Sequence, residues 1–547
     1  MKTNTPLKYQ VAAFLLLFSS MLHPWSALAS GPLTPPGAPA PMWKTLQEVE
    51  PRTLISSVPF TISAPGSYYL SDNLTVATGD AITIAASGVT LDLNGFTLSS
   101  SAASATGYGI YISGSVNNIT ILNGHVQGGV TDNGSGTFSG PGFGGGIYGP
   151  NAANVRVSGV SVSGVSNYGI FLNYSGSTVV EECTVNTVGS YGIYANVVES
   201  CSAFDCGLYG IMAYQVSDSA GQAYSGPGVY AITAINCYGS SVAGYGLSAT
   251  DAENCYGYTS SSYYGLVATT ANNCYGSTGN TNGYGLFAYD ANGCYGDGGY
   301  AGVYAGATAH GCCGRSYYGY GVYASVANNC YGYSSYYGAS SYAGVYASVA
   351  NNCYGYSYNS YSGTYNNYGV QAKAANNCYG TAYNGSGVYV YPGTAENCYG
   401  TSAYSYGLNA NTANNCYGYS ANSYGLDAYA ANNCYGESQS NDGMDATIAN
   451  NCYGYTHTGY YGLYVTVANN CYGSCQASGT GGDGLYASTA NNCYGSNSRT
   501  SGYGLYATVA IGCLGYDYGS SSVGLDAYIG NSCYGSSTSV TYKYNMP

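Results

Sequence analysis

Charge is what this chain has least of. Only 6% of its 547 residues are charged, and just nine of them are Lys or Arg against 23 Asp or Glu. A chain so poor in basic residues repels nucleic acid and anionic membrane rather than holding them. Proline is scarce at 15 residues and no Gly-X-Y period accompanies it, which excludes collagen. Four histidines and two tryptophans leave little for a histidine-rich metal site or a tryptophan-built core. After the first 30 residues no apolar run approaches the ~18 residues that a membrane helix needs.

The abundant residues are Gly (83), Tyr (70) and Cys (21), and they recur in order. Ala-Asn-Asn-Cys-Tyr-Gly occurs nine times, from Ala271–Gly276 to Ala490–Gly495, and Cys-Tyr-Gly occurs 14 times. Many cysteines lie 18 to 20 residues apart, as in Cys237, Cys255, Cys274 and Cys294. A unit this short cannot bury its own core, so units must stack into a solenoid.

The N-terminus reads as a secretory signal over residues 1–29. Lys2 and Lys8 supply the positive region, Val11–Leu22 the apolar stretch, and Ala27-Leu28-Ala29 the cleavage site. Without those two lysines, seven basic residues face 23 acids, a net of −16. Residues 30–54 form a Pro-rich linker, with Trp43–Val49 as a short helix capping the first coil. The solenoid is expected over 55–535, and 536–547 is a tail with no comparable cap.

The segment Tyr503-Gly-Leu-Tyr-Ala-Thr-Val-Ala510 shows how a coil is built. Leu505 and Ala507 are two apart and share the inward face of a strand, while Tyr506 points out. Ala490 and Cys493 of the neighbouring coil are three apart, so the Asn pair between them turns a corner. Asn tolerates the left-handed region and can bond to like residues above and below. Cys then points in, Tyr points out, and Gly is expected to permit the next turn. Such coils pair in parallel with a right-handed crossover. The fold class is therefore all-β, a right-handed parallel β-helix with a period of 18–25 residues. Counting Gly-[Leu/Ile/Val/Met] strands from Ile110 to Leu525 gives 21 coils, with more before them.

Phe60-Thr-Ile-Ser-Ala-Pro-Gly-Ser-Tyr-Tyr-Leu70, Val89-Thr-Leu-Asp-Leu-Asn-Gly-Phe96 and Val180-Glu-Glu-Cys-Thr-Val185 carry a resemblance. On these segments the chain is similar to the exported bacterial members of the pectate-lyase-like superfamily of right-handed parallel β-helix proteins. That resemblance implies the fold over residues 55–535. It does not choose among lyases, hydrolases and adhesins. Lyases of the superfamily use carboxylates to hold calcium and an Arg or Lys as base. Here Arg52, Arg156, Arg315, Lys373, Arg499 and Lys543 stand apart from any acid cluster in sequence, so no catalytic residue carries over.

Three features are candidates for function. Asp427, Glu437, Asp442 and Asp445 form the densest acid group. Asp427 and Asp445 hold the same outward position on adjacent coils, ~5 Å apart. That spacing suits a retaining glycosidase pair, a calcium ion, or simply a solvated strand face. No other cofactor is expected. Second, the cysteines stack in register, slightly too far apart for unstrained disulfides. This predicts a column of mostly free thiols, with soft-metal loading as the alternative. His310, Cys312, Cys313 and Arg315 read as drift of the repeat, since zinc needs about four ligands.

Third, tyrosines fill two outward files, one within the Gly-Leu-Tyr strand and one after each Cys. Stacked tyrosines stabilise a sheet without any ligand, yet so long an aromatic stripe also offers a surface to glycans or to other copies of the chain. Tyr304, Tyr323 and Tyr346, with Tyr336, Tyr337 and Tyr361 in the longer coils beside them, are the binding residues this predicts. The expected role is structural or adhesive at the cell exterior. A polysaccharide lyase or glycosidase, and a self-assembling filament subunit, are the alternatives.

Overall fold

The computed structural model describes residues 50–335, 340–359, 367–476 and 481–546. The signal segment, residues 30–49 with the expected cap, and Tyr336, Tyr337 and Tyr361 lie outside them. The chain divides into two compact units, Met1–Pro51 and Arg52–Pro547. The second is a parallel β-solenoid of about 25 turns with a period of about 19 residues. No helix occurs among the described residues. The only antiparallel pairing there is a small excursion between Thr131–Asp132 and Phe138–Ser139.

One coil shows the plan. A long strand, Leu426–Asn432, is followed by a short one, Tyr435–Ser438. Leu408, Leu426 and Met444 are in register across coils, as are Ala410, Ala428 and Ala446. All six are buried. Tyr417, Tyr435 and Tyr453 are in register on the short strands.

The corner is made by the second Asn of each pair. Asn433 has φ 52, and Gly293, Gly311 and Gly512 take the equivalent corner at φ 62, 61 and 62. Asn and Gly are the residues that enter this region at least cost. The first Asn ends the long strand and bonds its counterpart one coil back, as from Asn432 to Asn414 at 2.9 Å and from Asn450 to Asn432 at 2.8 Å. The second Asn forms a looser parallel row, at 3.2 Å from Asn433 to Asn415. Two amide ladders thus run along one corner of the solenoid.

Cysteine follows the corner and points inward. All 21 cysteines are unpaired, and all but Cys313 are buried. The Cys434 thiol donates to the Ala413 and Asn432 carbonyls at 3.3 and 3.2 Å, and its sulfur accepts the Cys416 amide at 3.4 Å. This is the expected column of stacked thiols.

The glycine of Cys-Tyr-Gly does something other than turn the chain. Gly436 lies inside the short strand, outside the left-handed region. A Cβ on it would sit 2.3 Å from the Gly443 carbonyl oxygen, and one on Gly425 would sit 2.3 Å from the Glu437 nitrogen. The short strand and the long strands beside it therefore meet backbone to backbone. Glycine is needed for close approach rather than for a turn, which corrects the sequence expectation. The short strand ends on an inward hydroxyl that closes the following loop. Ser438 donates to the Ser423 carbonyl at 2.6 Å and accepts the Asn441 amide at 2.9 Å.

The earliest coils differ. Ile62, Ile82, Ile84, Ile110, Leu91 and Phe143 fill them with large side chains. At the other end, Thr538–Tyr544 pairs in parallel on Val523–Asn531, and Val540 and Met546 pack against the core. Within the segment expected as a C-terminal tail, Thr538–Tyr544 thus adds one more strand to the solenoid.

Close backbone contact at the glycine rows predicts a steep cost for one methyl group. Gly425→Ala should lose roughly 1–3 kcal/mol, the range for over-packing a tight core. Gly279→Ala, in an exposed loop where a Cβ would meet the Tyr258 hydroxyl at 3.2 Å and Ser260 Cα at 3.9 Å, should stay within about 0.5 kcal/mol. Chemical denaturation compares the two, and equal losses would refute the contact.

Candidate functional site

In the later coils the aromatic side chains stand at outward positions, and most of them are tyrosine. In the file after each column cysteine, Tyr256, Tyr275 and Tyr295 stack at 4.8 and 4.9 Å. Tyr331, Tyr354, Tyr379 and Tyr399 continue at 5.2, 4.9 and 4.7 Å, with planes within 8° of parallel. In the long-strand file, Tyr304, Tyr323 and Tyr346 stack at 4.7 and 4.8 Å. These three expected binding residues do come together. They are half-buried, and Tyr320 meets Tyr323 edge-on at 5.3 Å.

Stacking at this spacing has a consequence for binding. Each ring covers the face of the next, so an unbroken file presents mainly ring edges and hydroxyls. Ring faces become available only where a tyrosine is missing. Such interruptions recur, as at Met212, Ser248, Val267, Gln371 and Leu514, and at least three interruptions form a hollow.

The first gap is a single rung. Cys313 is in register between Tyr295 and Tyr331. The hollow over it, about 320 Å³, is lined by Tyr295, Cys313, Gly314, Arg315, Tyr331 and Tyr333. The second gap spans two rungs of a third outward row, two residues past the tyrosine that follows each Cys, in which Tyr333 and Tyr356 stack at 5.4 Å. Thr381 and Thr401 lie in register between Tyr356 and Tyr419. Another hollow of about 320 Å³ forms there, with Tyr356, Tyr358, Tyr383 and Tyr419 around the two threonines. Thr401 Oγ1 bonds Thr381 Oγ1 at 3.0 Å across its floor.

The third gap holds the acids. Asn409, Asp427 and Asp445 take three successive rungs between Tyr389 and Tyr464. A hollow of about 440 Å³ opens beside them, lined by Tyr368, Tyr389, Tyr391, Tyr406, Asn409 and Asp427. Asn409 donates to Asp427 Oδ2 at 2.6 Å. Burial, then the neighbouring Asp445, push the Asp427 carboxyl up to about 6 against that hydrogen bond. Burial raises Asp445 as well. The pair can therefore retain a proton in mildly acidic solution, as a general acid must.

The four expected acids do not form one cluster. Asp442 is buried before its strand and accepts the Tyr461 amide at 2.8 Å. Burial raises it to about 6 despite that bond. Glu437 stands on the short strand, past the Asn433 corner from Asp427. Its carboxylate accepts the Tyr417 and Tyr435 hydroxyls at 2.9 and 3.2 Å and meets His457 Nε2 at 3.1 Å. Sequence proximity suggested a group that the corner divides. Calcium takes six to eight oxygens, and these four carboxylates do not surround a common point. Among the described residues no three His, Cys, Asp or Glu side chains are placed to hold a metal ion.

Residues 69–226 match the family model described as a right handed beta helix region. The solenoid is a right-handed parallel β-helix. The matched segment covers the early coils, and the Cys-Tyr-Gly part of this β-helix extends beyond it. No curated protein and no solved structure matches the chain.

The acids carry a pH signature. A folded carboxyl near 6, against ~3.9 unfolded, binds its proton more tightly in the native state. Stability is then highest below about pH 4 for that group and falls as pH rises through 4 to 6. Thermal melts should show this decline, and Asp427→Asn should reduce it. A native protein that gains stability across that window relative to the variant would contradict the burial of Asp427.

Proposed function

We propose that this β-helix is an exported, non-catalytic protein that holds glycans at the cell exterior through gaps in its tyrosine files. The observation that carries this reading is the two-rung hollow at Thr381 and Thr401. Its walls, Tyr356 and Tyr419, are three coils apart, roughly 14 Å. That width leaves room for pyranose rings between aromatic walls, with threonine hydroxyls on the floor. Predominantly apolar concave sites with a few polar groups are the usual form of a ligand pocket. The low charge of the chain favours neutral sugars over acidic ones. Export is supported by the Lys2, Val11–Leu22 and Ala27-Leu28-Ala29 pattern.

A second reading rests on Asp427. A carboxyl raised to about 6 beside a second carboxylate, at the edge of a tyrosine-lined hollow, also suits a glycoside hydrolase, in keeping with the pectate-lyase-like resemblance. Electrophoresis through gels cast with neutral polysaccharides, alongside reducing-end assays, separates the two. The double variant Thr381→Tyr/Thr401→Tyr should fill the gap and weaken retardation at least tenfold. Asp427→Asn/Asp445→Asn should leave retardation unchanged and release no reducing ends in either form. Retardation that survives the filled gap would overturn the binding reading. Reducing ends that vanish with the Asn pair would establish the hydrolase.

A further inference from the structure

The one-rung gap at Cys313 is a different site with a different chemistry. The backbone there is unbroken, because Tyr295, Cys313 and Tyr331 pair in register and so do Asp297, Arg315 and Tyr333. Only the side chain has changed, from a ring to a thiol. The facing rings of Tyr295 and Tyr331 are two coils apart, about 9.6 Å. Within the intact file, neighbouring rings lie 4.8 to 4.9 Å apart just below the gap and 5.2 Å apart just above it. The vacancy therefore has the thickness of one flat ring in the same stack. A sugar chair is thicker than a ring and matches the two-rung hollow better.

The floor and the rim define the rest of the ligand. The floor is the Cys313 thiol, half-buried and raised by burial and then by Cys330. It is a small, neutral, polarisable surface. The rim is Arg315, two residues along the strand and so on the same outward side. Its guanidinium carbon lies 4.7 Å from the Tyr317 ring centre and 5.9 Å from that of Tyr333. It forms no ion pair among the described residues. Asp297, its register neighbour, is half-buried, and burial raises its carboxyl against the pull of Arg315. Arg315 is thus held against aromatic faces and lines the same hollow as Cys313. Planar guanidinium groups pair with carboxylates through two parallel hydrogen bonds.

We propose that the gap over Cys313 binds a monocyclic aromatic carboxylate, whose ring completes the tyrosine stack and whose carboxylate pairs with Arg315. This site stands independently of the glycan reading, since it uses other tyrosines and the opposite charge preference.

Calorimetric titration with 4-hydroxybenzoate tests it. Two comparison ligands separate the contributions: 4-hydroxybenzamide keeps the ring and loses the charge, and cyclohexanecarboxylate keeps the charge and loses the flat ring. The native protein should bind 4-hydroxybenzoate at least tenfold more tightly than either. Cys313→Tyr should abolish binding by supplying the missing ring, and its melting temperature should match or exceed that of the native protein. Cys313→Ser, which keeps the gap open, should retain the binding that Cys313→Tyr loses. Arg315→Gln should weaken 4-hydroxybenzoate at least tenfold and leave 4-hydroxybenzamide unaffected. No heat up to millimolar 4-hydroxybenzoate, equal binding of cyclohexanecarboxylate, or undiminished binding by a folded Cys313→Tyr protein would each overturn the proposal.

Discussion

The contact on which this structure depends is backbone against backbone at the glycine rows. Gly425 faces the Glu437 nitrogen and Gly436 faces the Gly443 carbonyl, at distances that leave no room for a methyl group. The later coils are consequently too thin to hold aromatic side chains. Their interior is mainly Ala, Cys, a small hydroxyl such as Ser438 and one or two of Leu, Val or Met per turn, and the aromatic residues point outward. The usual distribution of large apolar residues inside and small polar ones outside is reversed for tyrosine. Asparagine completes the scheme, turning the corner beside the thiols and linking each coil to the one below it.

From that geometry follows the character of the surface. One tyrosine per turn in parallel register becomes a stack, and the stack protects its own ring faces. The aromatic stripe is therefore mostly structure, in the sense that each ring stabilises its neighbours. Places where the repeat departs from tyrosine carry the recesses. Cys313, the Thr381–Thr401 pair and the Asn409–Asp427–Asp445 series differ in width and polarity, and each gap would accept a ligand of its own shape.

Much of this was legible in the sequence. The two-residue spacing of Leu505 and Ala507, the three-residue step from Ala490 to Cys493, and the Asn pair between them specify the strand, the corner and the thiol column. The role of the glycines was not legible, because tight turns and close strand contact both call for Gly, and only three-dimensional packing distinguishes them. The acid group was misread for a related reason. Glu437 is ten residues from Asp427, but a corner lies between them. The recesses were hidden by the very regularity of the repeat. Attention to Tyr304, Tyr323 and Tyr346 finds the filled rungs, whereas the outward positions that lack tyrosine mark the gaps. The third gap was partly visible, since Asp427 and Asp445 stand out by charge.

Ring ligands are expected where the tyrosine files are interrupted and nowhere along the intact stacks. A crystal structure of the protein soaked with neutral oligosaccharides and 4-hydroxybenzoate would test it most directly. Ligand density is expected over Cys313 and between Tyr356 and Tyr419, with the unbroken runs Tyr238–Tyr295 and Tyr331–Tyr399 bare. Ligand rings lying along those unbroken runs, with the gaps empty, would contradict it.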